Sequence, residues 1–388
     1  MTLQNDVTKA QGSFDYSPRT RILYGEGVSQ SAGELARELR AAHVLLVTDP
    51  GIARAGHAEV VLRNLERAGL KATLFDRVRE NPTTRDVDDC VTVARESRID
   101  LLIGLGGGSS MDTAKGCNFI LTNGGHMKDY WGVGKAKQAM LPLIAIPTTA
   151  GTGSECQSAA FIADEITHQK MACLDPKAAA RIAILDPCLT LSQPSRVTAC
   201  TGLDALVHAL ESAVSTQRND ISSLYAREAF RLCNPAFEKV MIHPTDLGAR
   251  GRMLLGAAFA GTAIENSMLG AAHAAANPLT SRHHIVHGHA VGLLAAAVIE
   301  WNVSNPGAEA GYRDLARSSG MNSVPDLIQR VRACLQLSGL PTTLKACGVE
   351  EDSLPQLAEE AAIQWTARFN PRPITSTDFL GLYQRIWG

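Results

Sequence analysis

The stretch "LLIGLGGGSSMDTAKG" (101–116) decides the fold. A short apolar run passes directly into three consecutive glycines and then into a helix start, the pattern of a buried strand, a tight turn and a helix N-terminus. Backbone N–H groups in such a turn can approach a pyrophosphate, and the helix end adds partial positive charge. Ser109 and Asp112 have the i, i+3 spacing of a capping box, so Ser109 is the expected N-cap. Gly104-x-Gly106-x-x-Ser109 lacks the third glycine of the usual dinucleotide fingerprint, and no Walker A pattern is present.

Outward from this turn, β-rich runs recur: "RILYG" (21–25), "VLLVTD" (44–49), "ATLFD" (72–76), "PLIAIPTT" (142–149) and "RIAILDP" (181–187). Between them "SAGELARELRAA" (31–42) and "HAEVVLRNLERAG" (57–69) carry apolar residues at helical spacing. Strand alternating with helix predicts an α/β domain with a mostly parallel sheet and helices on both faces. Asp49 ends one strand, where a carboxylate can accept from both ribose hydroxyls of an adenosine and repel a 2′-phosphate, favouring NAD over NADP. It precedes the glycine loop, whereas the ordinary dinucleotide fold places its acidic residue about twenty residues after it. A second loop, "AIPTTAGTGSE" (145–155), offers the hydroxyls of Thr148, Thr149, Thr152 and Ser154 at another strand end. After Pro194 the periodicity becomes helical throughout, which divides the chain into a nucleotide-binding domain (1–192) and an all-helical domain (193–388).

A chain of 388 residues exceeds the roughly 250–300 at which one core stops growing, in keeping with two domains around a cleft. Its 37 basic and 39 acidic residues leave a net charge of −2 with no basic patch, so neither nucleic acid nor an anionic membrane is an expected partner. The apolar tracts at 254–264 and 290–299 are too short for the roughly 20 residues of a membrane span. Nine scattered cysteines without Cys-x-x-Cys argue against a disulfide framework and fit a reducing compartment. The opening "MTLQNDVTKAQGSF" (1–14) lacks the order of a secretory signal, so a cytoplasmic protein is expected.

"GLDALVHALESAVS" (202–215) reads as a helix on which Asp204 and His208 lie at i, i+4 in an apolar neighbourhood. A buried carboxylate needs a strong partner, either a protonated ring or a divalent cation. Further ligands must come from "HAAANPLTSRHHIVHGH" (273–289), which holds five of the chain's eleven histidines. An Asp with three histidines and an open position suits a catalytic Zn²⁺ or Fe²⁺. His283 and His287 also share i, i+4 spacing, so spacing alone does not select among the five.

In this order, "RILYG", "GGGSSMDTAKG", "IPTTAGTGSE", "DP" (186–187), "GLDALVHALES", the histidine segment and "NPRP" (370–373) resemble the iron-containing (group III) alcohol dehydrogenase family. The resemblance implies that family's fold, shared with dehydroquinate synthase: an N-terminal α/β nucleotide-binding domain and a C-terminal all-α metal-binding domain. It implies Asp204, His208, His273 and His287 as ligands of Fe²⁺ or Zn²⁺. It places Asp49 on the adenosine ribose, Gly106, Gly107, Gly108 and Ser109 on the pyrophosphate, and Thr148, Thr149 and Thr152 around the phosphates and nicotinamide ribose. Lys170 would support the ribose, Leu189 would line the nicotinamide side, and Asp112 would lie near the nicotinamide end. One position departs from the pattern: Asn277 stands where many members carry a histidine that handles protons. Asn cannot titrate, which leaves water with the cofactor ribose, or His283 or His284, as the proton route. The implied activity is hydride transfer between NAD(H) and a primary alcohol or aldehyde, in a homodimer or higher homo-oligomer. Polyol dehydrogenation and a dehydroquinate synthase type of elimination are the alternatives, the latter short of the basic cluster it needs, with Arg282 the main exception.

Overall fold

The computed structural model describes residues 14–388 apart from residue 168. Most of the N-terminal segment read for a secretory signal therefore lies outside the described residues. Six strands form the main sheet: β1 (Arg21–Tyr24), β2 (His43–Val47), β3 (Lys71–Phe75), β4 (Leu101–Gly106), β6 (Leu143–Pro147) and β9 (Ile182–Leu185). They are the six apolar runs of the sequence, in the order β1-β9-β6-β4-β2-β3, and every pairing is parallel. β4 and β6 are buried at every residue, as strands covered on both faces by helices must be. The chain runs from β2 outward to β3 and then lays β4 on the other side of β2. The crevice of an open α/β sheet lies at such a reversal, beyond the carboxyl ends of the strands.

A small second sheet was not anticipated. β5 (Gly132–Val133) pairs in parallel with β8 (Lys170–Leu174), which pairs antiparallel with β7 (Ala159–Ala163). Alanine is depleted in strands, and "AAFIA" and "KMACL" lack the β-branched alternation that marks one. The capping box expected at Ser109 is also absent. The helix Gly108–Asn123 begins two residues earlier, with Gly107 at its N-cap and no side-chain cap. Ser109 Oγ instead accepts from the Asn81 backbone at 3.2 Å, and Asp112 accepts from Ser154 Oγ at 3.0 Å. No side-chain oxygen caps this helix end, the arrangement an anion site requires.

Beyond Pro194 the described elements are helices, with the Ser195–Ser212, Asp220–Ile242, Leu247–Glu265, Ala271–His283 and His287–Asn302 helices at the centre of one large core. Many of its residues are alanines, so helices approach closely. A side chain at Gly288 would collide with the Cys200 carbonyl oxygen and lie 3.3 Å from Asp204 Cβ, so only glycine lets the His287–Asn302 helix reach the Ser195–Ser212 helix there. All nine cysteines are free thiols, as their scatter implied. Among the described residues no helix is long and apolar enough to cross a membrane.

Candidate metal centre and nucleotide crevice

Asp204 and His208 project from one face of the Ser195–Ser212 helix, one turn apart. His273 comes from the first turn of the next ligand helix, and His287 opens the one that Gly288 draws in. The three ring Nε2 atoms of His208, His273 and His287 lie 3.3, 3.4 and 4.0 Å from the same oxygen, Asp204 Oδ1. The His208 and His273 rings are stacked with centroids 4.8 Å apart, and His287 is tilted 5.2 Å from His273. Asp204, His208 and His273 are buried, whereas the His287 side chain retains 29% of its surface, so the cluster has one open side.

The orientation of His273 is set by a residue that the sequence did not single out. His273 Nδ1 donates to Glu211 Oε2 at 2.6 Å, which turns Nε2 toward Asp204. That Nε2 faces the carboxylate oxygen of Asp204, and both atoms are buried without a hydrogen-bond partner among the described residues. Across 3.4 Å the two atoms are reconciled by a proton on Nε2 or by a cation between them, and three rings converging on one carboxylate oxygen fit a divalent metal that displaces that proton. The signal for Glu211 was present: Asp204, His208 and Glu211 stand at spacings of four and three on one face of an otherwise apolar helix.

The electrostatics agree. Burial opposes the Asp204 carboxylate, but the three rings outweigh it and hold this group well below the usual range. Burial lowers His208, against the pull of Asp204, and lowers His287 to about 3. Both rings are therefore neutral, the form that binds metal. His273 is pulled down by burial, yet Glu211 and Asp204 together raise it to about 9 when no ion is bound.

Three strand ends meet beside this cluster. Asp49 follows β2, Gly106–Gly108 follow β4 and Thr148–Thr152 follow β6, which are neighbouring strands. Asp49 Oδ1 accepts from the backbone of Gly51 and Ile52 at 2.8 and 3.0 Å, which fixes the carboxylate. Gly106 has φ of 142°, and a methyl group built there would lie 2.5 Å from Ser110 Oγ and 3.3 Å from Asp49 Oδ2. The carboxylate thus stands against the glycine turn despite the inverted order of the two along the chain. The turn in turn packs on the threonine loop: the Thr148 backbone donates to the Gly106 carbonyl at 2.9 Å, and the space beside Gly107 and Gly108 is filled by Thr149 and Thr152. Thr148 Oγ1 and Thr149 Oγ1 are buried and unpartnered among the described residues.

Lys115, fully buried, staples this loop from beneath. Its Nζ donates to Ser154 O, Ser154 Oγ, Gln157 O and Ala159 O at 2.7–3.0 Å. Burial lowers the ammonium and Asp112 restrains the fall; the same burial raises Asp112, against Lys115 and Lys170. Lys170 opens β8 with its Nζ 5.7 Å from the Phe161 ring centroid, and although exposed by surface area it is desolvated enough to be lowered, with Asp112 and Asp204 opposing. Leu189 is buried in the apolar layer of the sheet, in the turn that follows β9. Nothing along the chain marks Lys115 beyond its place in the glycine motif.

Asn277 lies one turn beyond His273 on the same helix face. Gln364 Nε2 donates to the Glu360 carbonyl at 3.3 Å, so Gln364 presents Oε1 to Asn277 Nδ2, 3.0 Å away. Asn277 Oδ1 is therefore the end of the amide without a partner among the described residues. His283 is not gathered with the others: ten residues beyond His273, it is displaced by a helical rise of about 15 Å. His284 is exposed and caps that helix in the left-handed conformation, with φ of 54°. His289 is buried, its Nε2 2.7 Å from the Pro341 carbonyl. Arg282, the one basic residue noted beside the histidines, is paired with Glu360.

Comparison with known proteins bears on both halves of the chain. Residues 18–187 match the family described as iron-containing alcohol dehydrogenase, and residues 198–387 match the C-terminal part of the Fe-containing alcohol dehydrogenase family. Alcohol dehydrogenase 4 of Saccharomyces cerevisiae (strain YJM789) is 32% identical over 367 residues, 94% of this chain and 96% of that one. The solved alcohol dehydrogenase from Oenococcus oeni superposes with a TM-score of 0.92 at 30% identity, covering 97% of this chain and 100% of that one. Sulfoacetaldehyde reductase from Bifidobacterium kashiwanohense, solved in complex with NAD+, gives 0.89 at 27% identity, covering 96% and 98%. Matches of this extent in both halves establish that the chain belongs to the iron-containing alcohol dehydrogenase family.

Proposed function

We propose that this oxidoreductase transfers hydride between NAD(H) and a primary alcohol or aldehyde, with a divalent iron or zinc ion held by Asp204, His208, His273 and His287. The observation that carries the reading is the buried Asp204 Oδ1 facing three Nε2 atoms, one of them oriented by Glu211, beside the glycine and threonine loops. When bound, the ion supplies Lewis acidity to the substrate oxygen, and the dinucleotide accepts or returns the hydride.

The residues of the chain do the aligning. Asp49 accepts from the adenosine ribose, and its negative charge disfavours a 2′-phosphate. The N–H groups of Gly107, Gly108 and Ser109 at the helix end hold the pyrophosphate, with the Thr148 and Thr149 hydroxyls supplying further donors. Lys115 keeps the threonine loop in register with the glycine turn, and Lys170 supports the ribose near Asp112. Asn277 Oδ1 accepts a hydrogen bond from water or a substrate hydroxyl and cannot take up the proton, which leaves through water and the cofactor ribose. Arg282 is neutralised by Glu360, which weighs against a phosphorylated, carboxylated substrate of the dehydroquinate synthase kind.

The test is metal analysis of protein purified without chelator, followed by an aldehyde panel with NADH and NADPH on the same sample. The expected result is one transition-metal ion per chain and aldehyde-dependent NADH oxidation that exceeds NADPH oxidation. Metal-replete protein that turns over no aldehyde with either nucleotide would overturn the reading.

A further inference from the structure

The motif "NPRP" (370–373) has no part in the crevice, yet its first residue is buried. Asn370 and Asn302 exchange amide hydrogen bonds at 2.8 and 3.0 Å, and Asn302 Nδ2 also reaches the Tyr312 hydroxyl at 3.2 Å. Asn370 Oδ1 accepts in addition from the Ala271 backbone at 3.4 Å. Beside it Glu211 accepts from the Gly270 backbone at 2.9 Å, from the Ala272 backbone at 2.6 Å and from His273 Nδ1 at 2.6 Å. The Ala271–His283 helix has glycine at its N-cap and no cap of its own. Its first N–H groups, which every helix leaves unsatisfied, are met from two other parts of the chain, one of them a carboxylate at the positive end of the helix.

We infer that Glu211 is a positioning residue of the metal centre. It accepts the Nδ1 proton of His273, so that Nε2 is the nitrogen turned toward Asp204, and it anchors the turn that carries the ring, so the ligand geometry exists before an ion enters. This rests on the metal reading above. The carboxylate is specifically required, because its two oxygens accept three N–H groups and donate nothing. A glutamine in its place would set an NH₂ group against one of those donors, and an aspartate would fall short by one methylene.

The test titrates metal-free protein with Co²⁺, read by its visible ligand-field absorption, for the wild type, Glu211→Gln, Glu211→Asp and Asn370→Ala, alongside thermal unfolding of each metal-free protein. Loss of such a supporting partner lowers metal affinity about 10–100-fold, and Glu211→Gln is expected to fall in that range with an altered spectrum. Asn370→Ala, which uncaps the same turn without touching the ring, is expected to unfold earlier and to bind Co²⁺ close to the wild-type affinity. Glu211→Asp keeps the charge at the helix end and carries the test if the glutamine variant does not fold. Wild-type affinity and spectrum in the Glu211 variants would overturn the inference, as would an equal loss in Asn370→Ala. Failure of the wild type itself to bind Co²⁺ would instead remove the metal reading on which it stands.

Discussion

Glu155 closes the threonine loop, and its carboxyl is buried with Oε1 unpartnered among the described residues. Burial raises it from 4.5 to about 7, while the Lys115 ammonium pulls the other way. The folded state therefore prefers the protonated acid. Its stabilising contribution is complete below 4.5, the unfolded value, and is lost as pH rises through about 7. At 1.36 kcal/mol per pH unit the loss comes to about 3 kcal/mol. Glu155→Gln keeps the shape of the neutral acid and cannot ionise. The variant is expected to unfold with the wild type near pH 5 and to exceed it by about 3 kcal/mol at pH 8, roughly 4 °C in a chain of this length. Thermal unfolding of both proteins without metal from pH 5 to 8 measures this, and the titrations of His273 and the other shared groups cancel in the difference. A gap that does not change with pH, or a variant less stable at pH 8, would refute the assignment of a neutral Glu155.

Three further outcomes are expected. Asp49→Ser keeps a side-chain oxygen for the helix start at Gly51 but removes the charge, so the kcat/KM ratio of NADPH to NADH should rise about tenfold, equivalent to about 1.4 kcal/mol; an unmoved ratio would detach Asp49 from nucleotide choice. Lys115→Met removes one side of a buried charged network, an effect of about 3–5 kcal/mol, and should lower the unfolding temperature while raising KM for the dinucleotide more than for the aldehyde; equal rises would argue against a role at the nucleotide loop. Replacing His283 and His284 by Gln should leave the pH–rate profile of the wild type intact, and a displaced limb would return the proton route to these histidines.

The main sheet was legible because its central strands, covered on both faces, must be continuous apolar runs, and the half-exposed edge strands β1 and β3 are short β-rich runs set between helical stretches. The small sheet was not, since "AAFIA" gains its strand character from pairing with "KMACL" rather than from its own residues. The pair Asp204 and His208 could be read from helical spacing alone. Selection among the five later histidines could not, because it depends on contacts between helices. Gly288 draws His287 against Asp204, the Pro341 carbonyl occupies His289, and the length of the Ala271–His283 helix carries His283 away. None of these is a property of the histidines themselves.

The inverted order of Asp49 and the glycine loop has the same kind of origin. A fingerprint measured along the chain assumes that the strand bearing the acidic residue comes after the strand bearing the loop. Here the chain forms β2 first, goes outward to β3, and only then returns to place β4 beside β2, with Val47 in register with Gly104. The two strand ends are neighbours, so Asp49 meets the turn at Gly106 as closely as it would in the ordinary order. A third parallel neighbour, β6, brings the threonine loop to the same edge, where Gly151 packs so closely on the Ser195–Ser212 helix that a side chain there would collide with Thr201. The nucleotide loop thereby abuts the helix that carries Asp204 and His208. What the chemistry requires is adjacency at the carboxyl edge of the sheet, and chain order is only one way of obtaining it.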